Sequence, residues 1–419
     1  MSGSVPFSGW DVAALRLGNL EPRLGANIAA IVELAAEPEW DEFQTLVEQA
    51  IASNPRLGAV LSPSGDAVST DDSVTFRAVA KRLPDSVAVE DAIPGLLNRR
   101  YLPGEALWAL RAGRAGGNRV LLSTVCHAIS DGASALGWLL ALAPESNPAG
   151  ASRPSIAEAP PDDSFKDLMA AIFSNPKAVA SATTSLVRSM GDLWQRANRE
   201  PDPVIAGRGG DLAVAWLELK GAPSSLGHSA RLVAASAAAL VDYAKRSGAE
   251  LADVSVNLPI ATQSAGLNQV VAIREVLPAG DRAAMARACQ EAFKRWRVDP
   301  VLRLGGELAS LATALPGNPL VGYLDKADLT VTLLPAPNLP AAIAAAPVKA
   351  VWPAVAPGGA AANVTALATH SGWRVGTVYD SAALDSSWPD FLAEQLRLEF
   401  SVEVERWPAS QVSGDSAFH

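Results

Sequence analysis

One segment constrains the fold of this chain more than any other: an apolar run that ends in a histidine and a turn. Residues 120–125 have the length and composition of a buried strand, and Cys126 and His127 follow directly. Four residues after the histidine comes Asp131-Gly132, a pair typical of tight turns, and then a helix-like stretch over 133–140. The segment therefore predicts a strand, a turn and a helix in succession, with the histidine held at the strand end.

A histidine in this position suits proton transfer, because sheet hydrogen bonds hold its backbone and its imidazole titrates near neutral pH. The alternative is an ordinary core or turn histidine, and the spacing alone does not separate the two interpretations. The chain has only four histidines, at positions 127, 228, 370 and 419, and one of them lies at a strand-to-turn boundary. This scarcity favours a functional role for His127.

Composition narrows the class of protein. The 419 residues are 49% hydrophobic, enough for two domains or one large one, and the net charge of −10 without Lys/Arg clusters argues against nucleic acid as a partner. The two cysteines, Cys126 and Cys289, are far apart and form neither a metal motif nor a disulfide framework. No signal peptide and no apolar run of about 20 residues is found, which predicts a cytoplasmic location.

Hydrophobic periodicity predicts a mixed arrangement of strands and helices. Strands are expected over 26–34, 56–61, 106–111, 119–125, 212–219, 253–260, 269–277, 329–334, 363–368 and 374–379. Helices are expected over 8–17, 40–52, 165–196, 229–246, 282–297 and 388–400. Residues 199–211, rich in charges, Pro and Gly, are the best linker. We therefore expect an N-terminal lobe over 1–198 and a C-terminal lobe over 212–419.

His127, Asp131 and Gly132 form a His-x-x-x-Asp-Gly motif. It resembles the active-site signature of thioester-dependent acyltransferases of the chloramphenicol-acetyltransferase-like fold, which include condensation domains and bacterial wax ester synthase/diacylglycerol acyltransferases. Six further stretches resemble the wax ester synthase branch in chain order. They are residues 7–15, 54–57, 107–108, 256–260 followed by 266–269, 332–337 and 363–380.

This resemblance implies an α/β (α+β) protein with two lobes, each a mixed sheet covered by helices, and a tunnel between them. It implies an acyltransferase of the wax ester synthase/diacylglycerol acyltransferase kind, which moves an acyl group from acyl-CoA or a carrier-protein thioester to an alcohol or amine. It further implies no bound cofactor or metal, a monomer, and contact with membranes or lipid inclusions at most at the periphery.

The resemblance also implies roles for individual residues. His127 would be the general base and Thr332 a hydrogen-bond donor to the oxyanion. Structural support of the active-site loop would come from Asp131, Gly132 and Arg56, with Arg56 as the partner of Asp131 and Arg16 as the fallback. Tunnel candidates are Cys126, Trp138 and Leu333.

Three positions depart from the family pattern. Cys126 replaces the first of two adjacent histidines, Leu333 stands where the family has Asn, and Ala336 stands where it has Gly. These departures support an alternative: a catalytically altered or inactive member that binds a lipid or natural-product intermediate, or catalyses a different histidine-assisted reaction.

Overall fold

The computed structural model describes residues 15–19, 24, 27–62, 68–71, 74–85, 87–130, 135, 205, 209–223, 226–261, 270–297, 326–335 and 340–408. Within these ranges the chain forms two large mixed sheets, a two-stranded sheet and helices that pack on the large sheets. The fold class is α+β.

The first sheet has six strands in the order β11-β12-β1-β6-β5-β4, all antiparallel to their neighbours except β4 and β5. In chain order its strands are β1 (Asn27–Leu34), β4 (Ala80–Arg82), β5 (Trp108–Ala115), β6 (Asn118–Cys126), β11 (Ala342–Ile343) and β12 (Ala346–Val355). The strands β2 (Ala59–Leu61) and β3 (Val68–Thr70) form the small sheet. Helices α1 (Trp40–Ser53), α2 (Phe76–Val79) and α3 (Val89–Leu97) belong to the same half of the chain.

The second sheet has seven strands in the order β15-β7-β14-β13-β10-β8-β9, with parallel pairs only at β13-β10 and β10-β8. Its strands are β7 (Leu212–Lys220), β8 (Asp253–Ala261), β9 (Val270–Pro278), β10 (Leu329–Pro335), β13 (Ala362–Thr369), β14 (Gly372–Asp380) and β15 (Glu403–Trp407). Helices α4 (Ser229–Arg246), α5 (Arg282–Arg297) and α6 (Trp388–Phe400) pack side by side on one face of it.

Alternation along the strands explains why one face of the second sheet lies under helices. Every second residue of its central strands joins one large apolar cluster with α4, α5 and α6; examples are Val256, Leu258, Val331 and Val364. The residues between them point to the opposite face, because successive side chains of a strand alternate. We call that opposite face the inner face.

The inner face contacts the first sheet. Trp216 donates a hydrogen bond from Nε1 to the carbonyl of Pro353 at 2.9 Å, and Leu367 belongs to the apolar cluster of the first lobe. Gly376 on β14 is the register partner of Trp216. Because Gly376 has no side chain, the backbone of β12 at Pro353 can lie close to β14. The two sheets therefore pack directly against each other on this side.

The strand β12 comes from the second half of the sequence but belongs to the first sheet, where it pairs with β1. Part of the second half of the sequence therefore belongs to the first lobe, whereas the division at 199–211 assigned all of residues 212–419 to the second lobe. The linker position itself stays a prediction. Pro347 and Pro353 lie inside β12, and neither signals a strand in the sequence. Pro353 is tolerated because it lies beyond Ala346 and Pro347, the two residues of β12 that pair with β11, and in the described part of the chain no other strand pairs with β12 on that edge.

Gly376→Ala is expected to destabilise the protein by about 3 kcal/mol, the upper end of what overpacking costs. An ideal Cβ on Gly376 would lie 1.8 Å from the carbonyl oxygen of Pro353, so the two sheets would have to move apart. Urea unfolding measures the loss. Gly95→Ala is the matched control, since a Cβ there meets nothing within 4 Å, and it is expected not to destabilise. Equal stability of the two variants would contradict this view of the sheet contact.

Most strands and helices predicted from periodicity are confirmed, among them the helices over 229–246, 282–297 and 388–400 with the predicted bounds. Two predictions were wrong in detail. The strands expected over 106–111 and 119–125 extend to Ala115 and from Asn118, because only Gly116-Gly117, both at positive φ, form the turn between them. The expected strand 56–61 begins with a 3₁₀ turn, Pro55–Gly58. The helix 165–196 lies outside the described residues, as does most of the helix 8–17.

Candidate active site

His127 follows the last residue of β6, in the interior of the first sheet. Cys126 is in register with Asn27 on β1, and its N–H donates to the carbonyl of Leu107 at 2.8 Å. A tight turn begins at once, because the N–H of Ile129 donates to the carbonyl of Cys126 at 3.0 Å. His127 is half-buried, while the residues around it are buried. Its backbone is thus held on both sides, as a positioned base requires.

Asn27 ties the strand end to two neighbouring loops, a role that sequence reasoning missed. Its side-chain Nδ2 donates to the carbonyls of Leu97 at 2.9 Å and Arg99 at 3.2 Å, and its Oδ1 accepts from the Tyr101 hydroxyl at 3.3 Å. Its backbone carbonyl accepts from Ala356 N at 3.1 Å. Burial raises the pKa of Tyr101 well above its usual value, which keeps the phenol a donor. The only signal in the sequence was an amide at the first position of an apolar strand.

A row of polar residues crosses the inner face of the second sheet. Arg274, Asn257, Thr330 and Asn363 are directly in register on β9, β8, β10 and β13, so their side chains share one face. Arg274, Asn257 and Asn363 are buried, at 0%, 1% and 2% exposure. We call these four residues the polar row. Except for Glu275 beside Arg274, the sequence neighbours of these residues on their strands lie in the apolar cluster under the helices.

The polar row is connected to the strand end of His127 through the loop after β12. Thr330 Oγ1 donates to the carbonyl of Pro357 at 3.3 Å, and Asn363 Nδ2 contacts the carbonyl of Ala356 at 3.5 Å. The N–H of Ala356 donates to Asn27, the register partner of Cys126. Residue 356 and residue 126 are therefore separated by two strand spacings, roughly 10 Å. The end of β6 and the polar row border the same region between the sheets.

Thr332, the expected oxyanion donor, lies on the inner face. It is in register with Thr365 and two residues beyond Thr330 of the polar row, and it is half-buried. This position is compatible with the predicted role, which stays a prediction.

Leu333 requires a correction. It was expected to line the tunnel, but its side chain packs against the apolar cluster under the helices, because strand alternation turns it away from Thr332. Its neighbour Leu334 faces the first lobe instead and packs on the cluster that contains Cys126 and Ile129.

The loop residues predicted around the histidine are described only in part. Arg56 is buried at 7% exposure in the 3₁₀ turn, where its backbone N–H donates a hydrogen bond to Asn54 Oδ1 at 3.1 Å. The same turn is bound to β5, because Trp108 Nε1 donates to the carbonyl of Leu57 at 2.8 Å. The other predicted residues, Asp131, Gly132, Trp138 and Ala336, lie outside the described residues. The pairing of Arg56 with Asp131 therefore stays a prediction.

Both cysteines are expected to be unreactive in the native protein. Cys126 and Cys289 are buried, and burial raises the pKa of Cys289 to about 12. At pH 8 only about one Cys289 side chain in 10⁴ would be a thiolate, and the thiolate is the nucleophile. A chromogenic thiol reagent should therefore label neither cysteine until the protein is denatured, when it should label both. Rapid labelling of the native protein that disappears in Cys126→Ala would contradict the burial of Cys126.

In the residues that the structure describes, no group of three or more His, Cys, Asp or Glu side chains is placed to hold a metal ion. No helix in the described ranges combines the length and apolar character needed to span a membrane.

The sequence matches no protein-family model and no curated protein. Solved structures, in contrast, share its fold over nearly the whole chain. A wax ester synthase/diacylglycerol acyltransferase from Marinobacter aquaeolei VT8 superposes with a TM-score of 0.57 at 14% identity, covering 94% of this chain and 100% of that one.

Two condensation domains are similarly related. The condensation domain of the monacolin K polyketide synthase MokA gives a TM-score of 0.56 at 13% identity, with 95% of this chain and 97% of that one covered. A variant of the starter condensation domain of rhizomide synthetase RzmA in complex with C8-CoA gives 0.57 at 13% identity, covering 95% and 93%. The expected two-lobed fold is thereby confirmed.

Proposed function

We propose that this chain, which has the two-lobed fold of condensation domains and of a wax ester synthase, is an acyltransferase that uses His127 as its general base. The observation that carries the proposal is the position of His127. It directly follows an interior strand of the first sheet, next to the region where the inner face of the second sheet begins. Solved structures of this fold include enzymes named for acyl transfer and a complex with an acyl-CoA.

The proposed reaction is a single displacement at a thioester. The imidazole of His127 takes the proton of the acceptor hydroxyl or amine while the acceptor oxygen or nitrogen attacks the carbonyl carbon. The resulting tetrahedral oxyanion accepts a hydrogen bond, for which Thr332 is the candidate donor. The intermediate then collapses, the carbon–sulfur bond breaks, and the imidazolium returns the proton to the thiolate. The products are an ester or amide and a free thiol.

The donor is an acyl-CoA or an acyl thioester on a carrier protein, and the acceptor is an alcohol or an amine. Transfer to a long-chain alcohol or a diacylglycerol, as the wax ester synthase resemblance suggested, is the narrower form of this proposal. A cytoplasmic location, a monomeric state and contact with membranes or lipid inclusions stay predictions alongside it.

The competing hypothesis, a catalytically altered or inactive member of the fold, was based on Cys126, Leu333 and Ala336. The positions of two of these side chains weaken it. Leu333 lies on the helix side of β10, so it removes no polar group from the inner face. Cys126 is buried in the core of the first lobe. Both side chains therefore pack in apolar clusters rather than among the polar residues of the inner face.

Release of free thiol tests the proposal. The purified protein is mixed with acyl-CoAs from short to long chain, or with acyl N-acetylcysteamine thioesters as carrier mimics, and with alcohols or amines. We expect thiol release that depends on both donor and acceptor. Release at the rate of the protein-free control for every combination would count against acyl transfer from a thioester.

A further inference from the structure

The polar row contains buried hydrogen-bonding atoms that the protein itself does not satisfy. Among the described residues, no hydrogen-bond partner lies within reach of Asn257 Oδ1 or of the hydroxyl of Ser255, two positions before it on the same face. The contact of Asn257 Nδ2 with Thr330 is long, at 3.4 Å. A buried polar group without a partner costs about 1–3 kcal/mol. Such a cost in the interior points to a ligand that satisfies these atoms.

A purely structural explanation accounts poorly for the polar row. The same four strands are apolar on the helix side, where they form the core of the second lobe. An apolar residue in place of Asn257 would pack against the first lobe without a desolvation cost, as Leu334 and Leu367 do further along β10 and β13. Along β10 and β13 the inner face thus changes from polar to apolar within four residues, from Thr330 to Leu334 and from Asn363 to Leu367.

We propose that the polar row binds a substrate segment that carries amide or hydroxyl groups, rather than an unbroken hydrocarbon chain. This inference rests on the proposed function and narrows its substrate. Asn257 Oδ1 offers an acceptor and the Ser255 hydroxyl a donor, which matches secondary amides and alcohols. Thr330 and Asn363 beside them already bond within the protein, and Asn363 Oδ1 accepts from Thr365 Oγ1 at 2.7 Å. The four residues cross three strand spacings, roughly 14 Å, long enough for several such groups. An aliphatic acceptor would leave Asn257 Oδ1 and Ser255 Oγ unsatisfied.

Two sources supply this chemistry: the acceptor itself and the pantetheine arm of the thioester donor. Kinetics with three substrates separates them. Leucinamide serves as the polar acceptor, hexadecanol as the apolar acceptor, and octanoyl-CoA as the donor.

Asn257→Leu removes the amide while keeping nearly the same volume. We expect it to raise one KM by about tenfold, as the loss of one or two neutral hydrogen bonds does, with kcat changed less than about twofold. A rise in the KM of leucinamide assigns the polar row to the acceptor, and a rise in the KM of octanoyl-CoA assigns it to the pantetheine arm. The KM of hexadecanol should stay unchanged. Thr330→Val is the second variant, to be used where Asn257→Leu does not fold.

The matched control is Ser236→Ala, which removes a buried hydroxyl on the other side of the second sheet. Ser236 Oγ donates to the carbonyl of Leu232 within α4 at 2.9 Å, away from the inner face. This variant should leave every KM unchanged. Unaltered KM values in Asn257→Leu, or a fall of kcat and stability together for all substrates, would overturn the proposal.

Isothermal titration calorimetry measures binding to the polar row without requiring turnover. Pantetheine and leucinamide are titrated into the wild-type protein and into Asn257→Leu, each without a reaction partner. Binding of either probe that weakens about tenfold in the variant supports the polar row, even in a protein that shows no acyl transfer. Binding of neither probe to the wild-type protein, or equal binding to both proteins, overturns it.

Discussion

His127→Ala is expected to lower the rate of acceptor-dependent acyl transfer by about 10²–10⁴-fold, the range that a positioned general base contributes. The variant loses the group that takes the proton from the acceptor and returns it to the thiolate. The KM of the donor should change little, because no binding of the thioester is assigned to the imidazole. Initial rates at saturating donor and acceptor measure the effect.

Stability and a second histidine variant control this experiment. His127 is half-buried, so its truncation should cost little of the free energy of unfolding. His370→Ala removes an exposed histidine in the turn between β13 and β14 and should retain the wild-type rate. A fully folded His127→Ala protein that keeps its rate within about threefold would rule out His127 as the base.

Trp352→Ala is expected to destabilise the protein by about 3–5 kcal/mol, the range for truncating a buried aromatic residue. Trp352 is 2% exposed on β12, and its ring stacks on that of Trp407 at 4.7 Å between centroids. Trp216 packs edge-on against Trp407 at 5.5 Å. These three rings join strands of both sheets, so the variant should also loosen the contact between the lobes. Denaturant unfolding measures the loss.

Two phenylalanine variants separate packing from hydrogen bonding in this tryptophan cluster. Among the described residues no partner accepts from the indole N–H of Trp352, whereas that of Trp216 donates to Pro353 at 2.9 Å. Trp216→Phe should therefore cost about 1 kcal/mol more than Trp352→Phe. A Trp352→Ala loss below about 1 kcal/mol would show that the cluster does not hold the lobes together.

Periodicity was sufficient for the helices that cover the second sheet and for most of its strands. The segments Leu212–Lys220 and Ala362–Thr369 have the apolar content of buried strands. The helix α4 begins and ends at the residues that its periodic pattern predicted, 229 and 246. The sequence did not predict the strand β12, because Pro347 and Pro353 interrupt the run of strand-forming residues. Pro353 is tolerated because β11 does not reach it on that edge of β12, and a strand's position in its sheet is not encoded locally.

Only the part of the candidate site that lies in one continuous segment could be predicted from the sequence. The place of His127 at a strand end follows from residues 120–127 alone, whereas the turn predicted from Asp131-Gly132 lies outside the described residues. The polar row depends on the register of four strands, which are up to about 100 residues apart in the sequence, so no local pattern reveals it. Leu333 was misplaced for a related reason: a shift of one residue along a strand turns a side chain to the other face.

The most direct test of the proposed acyl transfer is product detection by mass spectrometry in one pair of reactions. Wild-type protein and His127→Ala are each incubated with isotopically labelled octanoyl-CoA and a mixture of alcohols and amines. We predict a labelled ester or amide in the wild-type reaction and its loss in the variant, with the unfolding transition of the variant unchanged. No labelled product from the wild-type protein, or equal amounts from both proteins, would contradict the account of His127 as the base of an acyltransferase.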